Sequence, residues 1–263
     1  VFEQLVVNLE RARIAMERED LDNDGYPEVL MYQFGLGLHG VAIVKYRKET
    51  KRLEKVFEYT YPNNHDIRSC WAIGDFDQDG HKEFVTATNE GEVCFLENGT
   101  GEGDYRLSFV DTTRYINEGV YTEGNDLDGD GRPECLVGSN NTFGLTNIAV
   151  YETIGNNSYE VTCWIEVFPV ASLTWELLWT GDIDGDGKDE IILSSGSILV
   201  VLRAFGIADY RAVWYRNFNS QISHRLFDID NDGTQEILLS FVQDKVHQTM
   251  ILKHPVAVGV KDV

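Results

Sequence analysis

The pattern D-x-D-x-D-G-x-x-E occurs five times in this 263-residue chain, as DLDNDGYPE from Asp20, DFDQDGHKE from Asp75, DLDGDGRPE from Asp126, DIDGDGKDE from Asp182 and DIDNDGTQE from Asp228. The first aspartates are 55, 51, 56 and 46 residues apart. A near-constant period of this length marks a supersecondary unit that buries its apolar faces only against its neighbours. Any fold of the chain has to present the same acidic loop five times.

The spacing implies a chemistry. Carboxylates at positions 1, 3 and 5 and a Glu at position 9 can turn toward one centre. A Gly at position 6 permits the sharp turn, and the carbonyl of position 7 can complete an oxygen shell around a hard cation. The candidate metal ligands are Asp20, Asp22, Asp24, Tyr26 and Glu28 in the first loop and Asp75, Asp77, Asp79, His81 and Glu83 in the second. The third offers Asp126, Asp128, Asp130, Arg132 and Glu134, and the fourth Asp182, Asp184, Asp186, Lys188 and Glu190. The fifth offers Asp228, Asp230, Asp232, Thr234 and Glu236. Tyr26, His81, Arg132, Lys188 and Thr234 enter through backbone carbonyls. An all-oxygen set favours calcium over zinc or copper, and its ligand number and flexibility favour calcium over magnesium. About five structural Ca2+ ions are expected, one per loop.

The charge distribution agrees. The formal net charge is -22, from 44 Asp and Glu against 22 Lys and Arg. The loops hold twenty of those acids, and the other 24 nearly balance the bases. Such a chain repels nucleic-acid backbones and anionic membrane surfaces. An EF-hand is excluded, because it needs a bidentate Glu at position 12, where these loops have Met31, Thr86, Val137, Leu193 and Leu239.

Between the loops lie short apolar runs rich in β-formers. EVLMYQ, EFVTAT, ECLVGS, EIILSS and EILLSF follow the loops directly. A second run follows as GVAIVKYR, GEVCFLEN, TNIAVYET, SILVVLRA and TMILKHP, and four repeats show a third, such as DYRAVWYRN. A further run precedes each loop. Four strands per repeat without an amphipathic helix predict an all-β fold, a β-propeller of five four-stranded antiparallel blades in a single domain spanning 1–263. The fifth repeat lacks its third run unless the terminal VAVGV supplies it. The opening VFEQLVVNLE has the character of that outermost strand, so the ring is expected to close by pairing it into the last blade. The alternatives are a piece of a larger propeller, or exchange of that strand with a second copy to give an oligomer or fibre.

These loops and strands resemble the FG-GAP and VCBS repeat families, whose propellers include integrin α-subunit heads and some lectins. GDFDQDG and GDIDGDG are close to the family form, whereas Glu19, Asn125 and Phe227 replace the Gly before the first Asp in the other three loops. The resemblance implies structural calcium at the loop carboxylates and assigns no catalytic residue.

Other signals are weaker. GLGLHG at Gly35 to Gly40 fits a dinucleotide fingerprint, but a strand follows it rather than a helix, so it reads as a hairpin loop. Cys70, Cys94, Cys135 and Cys163 lack zinc spacing and read as buried small apolar residues, with one or two disulfides as the alternative. Most Trp and Tyr lie in strand runs and read as core, Trp175 and Trp179 being the candidates for partial exposure. Asn98, Asn140 and Asn156 open glycosylation sequons. A first residue of Val without a leader fits a processed chain or an excised domain.

The expectation is a secreted or cell-surface, calcium-stabilised propeller that binds protein or glycan partners in adhesion or assembly, and is not an enzyme. A lectin with sugar sites between blades, a self-assembling fibre subunit and a polysaccharide lyase-like enzyme are the alternatives. Neither nucleic acid nor membrane insertion is expected.

Overall fold

The computed structural model describes residues 12–33, 40–61, 67–88, 90–113, 119–140, 146–167 and 177–254. Across them the chain is all-β, with five antiparallel sheets and no helix among the described residues. The first sheet is β1 (Ala12–Glu19), β2 (Glu28–Gln33), β3 (Gly40–Arg47) and β4 (Arg52–Thr60). The second is β5 (Ile67–Gly74), β6 (Glu83–Thr88), β7 (Glu92–Asn98) and β8 (Tyr105–Thr112), and the third β9 (Gly119–Asn125), β10 (Glu134–Asn140), β11 (Thr146–Gly155) and β12 (Ser158–Val167). The fourth is β13 (Leu177–Gly181), β14 (Glu190–Ser195), β15 (Ile198–Ala204) and β16 (Tyr210–Asn217). The fifth is β17 (Ser223–Phe227), β18 (Glu236–Gln243) and β19 (Val246–Leu252). Strands neighbour one another in chain order within each sheet. One up-and-down sheet per repeat is a propeller blade, and the fold is a β-propeller.

The fifth blade has three strands among the described residues. The segments expected to complete it, VFEQLVVNLE and VAVGV, lie outside those residues, as do most of GLGLHG and Trp175.

Blade geometry follows from the sequence. β6 and β14 are buried along their whole length, which suits a strand covered on both faces. The outermost strands β4 and β16 are largely exposed and carry charged residues such as Arg52, Lys55, Arg211 and Arg216. Three blades shift register between the third and fourth strands, leaving Val56, Ser108 and Val213 as extra residues on the outer strand. A bulge at the same place increases the twist of each outer strand.

Two compact units are distinguished, one of Val1–Gly124, Arg132–Thr142 and Asn147–Glu166, the other of Asn125–Gly131, Phe143–Thr146 and Val167–Val263. In the first, Phe95 is fully buried and stacks on Tyr159 with ring centroids 4.1 Å apart, while Phe76, Phe109 and Tyr151 meet it edge-on. A second cluster packs Leu30, Val41 and Ile43 of the first blade against Phe84, Cys94 and Leu96 of the second. The other unit buries Ile192, Leu199 and Val201 against Phe218, Ile237, Leu239 and Phe241. Both kinds of core lie between adjacent blades, as a repeat that cannot bury its own faces requires.

Candidate metal centres

The acidic loops connect the first strand of each blade to the second, and each is folded on its own carboxylates. The position-1 Asp accepts the N–H of the position-6 Gly in all five, at 2.9 Å from Gly25 to Asp20 and 3.0 Å from Gly80 to Asp75, Gly187 to Asp182 and Gly233 to Asp228. The corresponding bond from Gly131 to Asp126 is 3.1 Å. These glycines have φ of 88°, 93°, 92°, 87° and 93° in chain order, a region that L side chains avoid. Position 4 is also left-handed, at Asn23, Gln78, Gly129, Gly185 and Asn231. Hydrophobic position 2 turns inward in the first three loops, with Leu21, Phe76 and Leu127 fully buried, whereas Ile229 of the fifth is exposed.

The position-9 Glu opens the second strand and reaches back into the loop. Its Oε2 accepts the position-2 N–H at 2.8 Å in Glu28, 2.7 Å in Glu83, 3.1 Å in Glu190 and 2.8 Å in Glu236. Oε1 remains for the loop centre. Carboxylate oxygens within 4.8 Å of one another come from Asp20, Asp22 and Glu28, from Asp182, Asp184 and Glu190, and from Asp228, Asp230 and Glu236. Asp126, Asp128, Asp130 and Glu134 converge in the third loop, and Asp77, Asp79 and Glu83 are joined by Glu97 in the second. Asp24, Asp75, Asp186 and Asp232 stand outside these convergent sets. Asp24, Asp186 and Asp232 instead accept the N–H of position 7, at 2.9, 2.9 and 3.0 Å. The donor set is hard oxygen throughout and fits a divalent cation of the calcium type.

Charged residues from outside the motif enter the loops. Lys45 Nζ lies 2.7 Å from Asp22, 2.7 Å from Asp24 and 2.8 Å from Glu28. Lys253 Nζ lies 2.7 Å from Asp230, 2.6 Å from Asp232 and 2.9 Å from Glu236. Arg203 pairs with Asp184 and places Nε 3.1 Å from Glu190 Oε1. In the third repeat Arg132 pairs with Glu152 of β11. Motif reading missed Lys45, Glu97, Glu152, Arg203 and Lys253. Each ends the apolar part of a blade's third strand, as in VAIVK, VCFLE, IAVYE, LVVLR and MILK, so alignment of those runs would have found them.

Protonation follows the surroundings. Burial, opposed by the Phe76 N–H and reinforced by Asp77, Asp75 and Glu97, pushes Glu83 up to about 9. Burial likewise raises Glu190 to about 7. Lys253, with Thr234, draws Asp232 down to about 2. The Tyr159 hydroxyl is raised by burial and then by the charges of Glu83 and Asp77, which registers the negative field of the second loop.

Neighbouring loops are cross-linked. Lys82 Nζ bonds Glu19 and the Asp20 carbonyl at 2.7 and 3.0 Å, and Gln235 N bonds the Asp182 carbonyl at 2.9 Å. Lys188 reaches the Asp128 carbonyl, and Asn125 reaches Asp189. From the β11–β12 turn, Asn156 Nδ2 bonds Asp79 at 2.7 Å and Asn157 N bonds Asp77 at 2.6 Å.

Among the other candidate residues, Asn98 is buried and Asn156 is exposed, while the Asn140 side chain lies outside the described residues. Cys94, Cys135 and Cys163 are free thiols, the first two buried, and the Cys70 side chain lies outside the described residues. Trp179 is half-buried beneath the Arg225 guanidinium, 4.3 Å from its ring centroid.

Residues 126–193, which contain the third and fourth loops, match the family model of the FG-GAP-like repeat. That segment is thus an FG-GAP-like repeat within a β-propeller. No curated protein matches the sequence. Among solved structures, an Agrocybe aegerita lectin described as specifically recognising non-reducing terminal N-acetylglucosamine is 14% identical, with a TM-score of 0.54 over 91% of this chain and 66% of its own. The V. cholerae biofilm matrix protein Bap1 is 15% identical, with a TM-score of 0.48 over 95% of this chain and 40% of its own. The likeness to the lectin is one of fold, and this chain spans just under two thirds of that structure's length.

Proposed function

We propose that this chain is an extracellular, calcium-stabilised propeller module that binds protein or glycan partners in adhesion or assembly. The observation that carries this reading is the set of five acidic loops, each folded on its own carboxylates with oxygens left converging on one centre. Loops of this kind suit millimolar calcium, the concentration found outside cells. They would hold the blades rigid while faces and clefts contact the partner.

A glycan is favoured by a cleft of about 340 Å³ beside the fourth loop, lined by Trp214, Val213, Arg203, Lys253 and His254. Trp214 is 38% exposed, and an indole face flanked by hydrogen-bond donors matches the mixed apolar and hydroxylated surface of a sugar. Terminal N-acetylglucosamine, the ligand of the fungal lectin, is the first sugar to try.

The test is a glycan array probed with the whole chain in calcium and in chelator, followed by titration of Trp214→Ala against the best ligand. Calcium-dependent binding that the substitution weakens at least tenfold supports the reading. Absence of glycan binding together with calcium-independent stability overturns it.

A further inference from the structure

The five loops share one motif, yet the strand behind them does not treat them alike. In the first blade Glu28 pairs with Lys45 across the β2–β3 ladder, and in the second Glu83 pairs with Glu97 across β6–β7. In the fourth and fifth blades the ladders pair Ile191 with Leu202 and Ile237 with Leu252. The next residues outward, Arg203 and Lys253, therefore stand beside Glu190 and Glu236. One structural position thus carries a cation in three blades, Glu97 in the second and Glu152, which pairs with Arg132, in the third.

The consequence is electrostatic. In the first loop the Lys45 ammonium, itself buried, sits within 2.8 Å of three carboxylates that a metal would otherwise use. Half-exposed Arg203 pairs with two carboxylates of the fourth loop, and half-exposed Lys253 with three of the fifth. A tethered cation in that position neutralises the loop and opposes a divalent ion, which must displace it or share its ligands.

The second loop has the opposite arrangement. Oxygens of Asp77, Asp79, Glu83 and Glu97 lie within 4.8 Å of one another, and among the described residues no Lys or Arg pairs with any of them. The nearby Lys82 is turned to Glu19 and the Asp20 carbonyl. Glu83 is fully buried, and among the described residues its Oε1, Glu97 Oε2 and Asp75 Oδ1 have no hydrogen-bond partner. Unpartnered carboxylate oxygens turned into a shared centre are costly unless a cation joins them.

We propose that the second loop is a dedicated divalent-cation site to which Glu97, a residue outside the motif, contributes a ligand, and that Lys45, Arg203 and Lys253 stand in for the ion in the first, fourth and fifth loops. Calcium binding is then unequal among the repeats, with tight binding at the second loop and weak binding where the strand supplies a cation. This rests on the calcium-stabilised reading above.

The experiment exchanges the two kinds of residue in the whole chain. Calcium binding is measured by competition with a chromophoric chelator for the wild type, Glu97→Lys, Glu97→Gln and Lys45→Glu, and each variant is melted in chelator by circular dichroism. Glu97→Lys is expected to remove one tight site and to melt higher than the wild type in chelator, because its ammonium takes over the role of the ion. Glu97→Gln, which keeps the shape, is expected to weaken that site roughly tenfold or more, since affinity follows ligand charge. Lys45→Glu is expected to add one tight site. Unchanged number and affinity of tight sites in Glu97→Lys and Lys45→Glu would overturn the inference while leaving calcium stabilisation standing. A wild type that binds no calcium would overturn both.

Discussion

Lys45 and Glu28 are partners in the β2–β3 ladder, with the ammonium nitrogen 2.8 Å from the carboxylate oxygen and both side chains buried. Their relationship makes the first blade depend on an internal ion pair. Lys45→Met is therefore expected to lower stability in chelator by roughly 3 kcal/mol, the usual cost of stripping one partner from a buried pair. Chemical denaturation in chelator measures it. A loss that millimolar calcium restores would show the vacated position passing to the ion.

His224 gives a pH dependence independent of the loops. Its Nε2 lies 3.3 Å from the Ile192 carbonyl, so this nitrogen donates, and Nδ1 accepts from the Ser194 hydroxyl at 3.2 Å. Burial holds the ring neutral and lowers its pKa from 6.5 to about 4. The folded value lies below the unfolded one, so the unfolded chain takes up the proton first as pH falls. The contribution is full above about pH 6.5 and is lost progressively toward pH 4, amounting to roughly 3 kcal/mol. Denaturation midpoints at pH 7 and pH 4.5 should differ less for His224→Gln than for the wild type.

Phe95 is the hub of the core between the second and third blades, fully buried against four aromatic rings. Phe95→Ala is expected to cost about 3–5 kcal/mol, as large aromatic truncations do. Urea denaturation would show it as a lower midpoint.

Gly80 isolates the backbone requirement of the loop. Its φ is 93° and a Cβ placed there meets nothing within 4 Å, so Gly80→Ala adds strain without a clash. A loss of roughly 1–2 kcal/mol is expected. Ala at Gly101, where there is also open space and φ is not left-handed, is the comparison that should show little loss.

Much of this was legible in the sequence because the loops are local. A motif of nine residues fixes which carboxylates meet, and Gly80 or Glu83 could be assigned its part from spacing alone. The strand runs between motifs gave the blade count for the same reason. Lys45, Glu97, Arg203 and Lys253 were missed because they reach the loops through the ladder, 13 to 17 residues beyond the position-9 Glu, and a motif carries no register. The departure of Asp24 and Asp232 from the convergent sets has the same origin, since the strand cations draw them toward Lys45 and Lys253.

Differential scanning calorimetry of the purified chain, first in chelator and then in 1 mM calcium, bears most directly on calcium as the structural cation. One site with a dissociation constant of about 0.1 mM adds on the order of 1.4 kcal/mol at that concentration, which for a chain of this size raises the melting temperature by several degrees. A rise of that size with bound calcium is the expected result. An identical melt in chelator and calcium, with no metal bound, would contradict it.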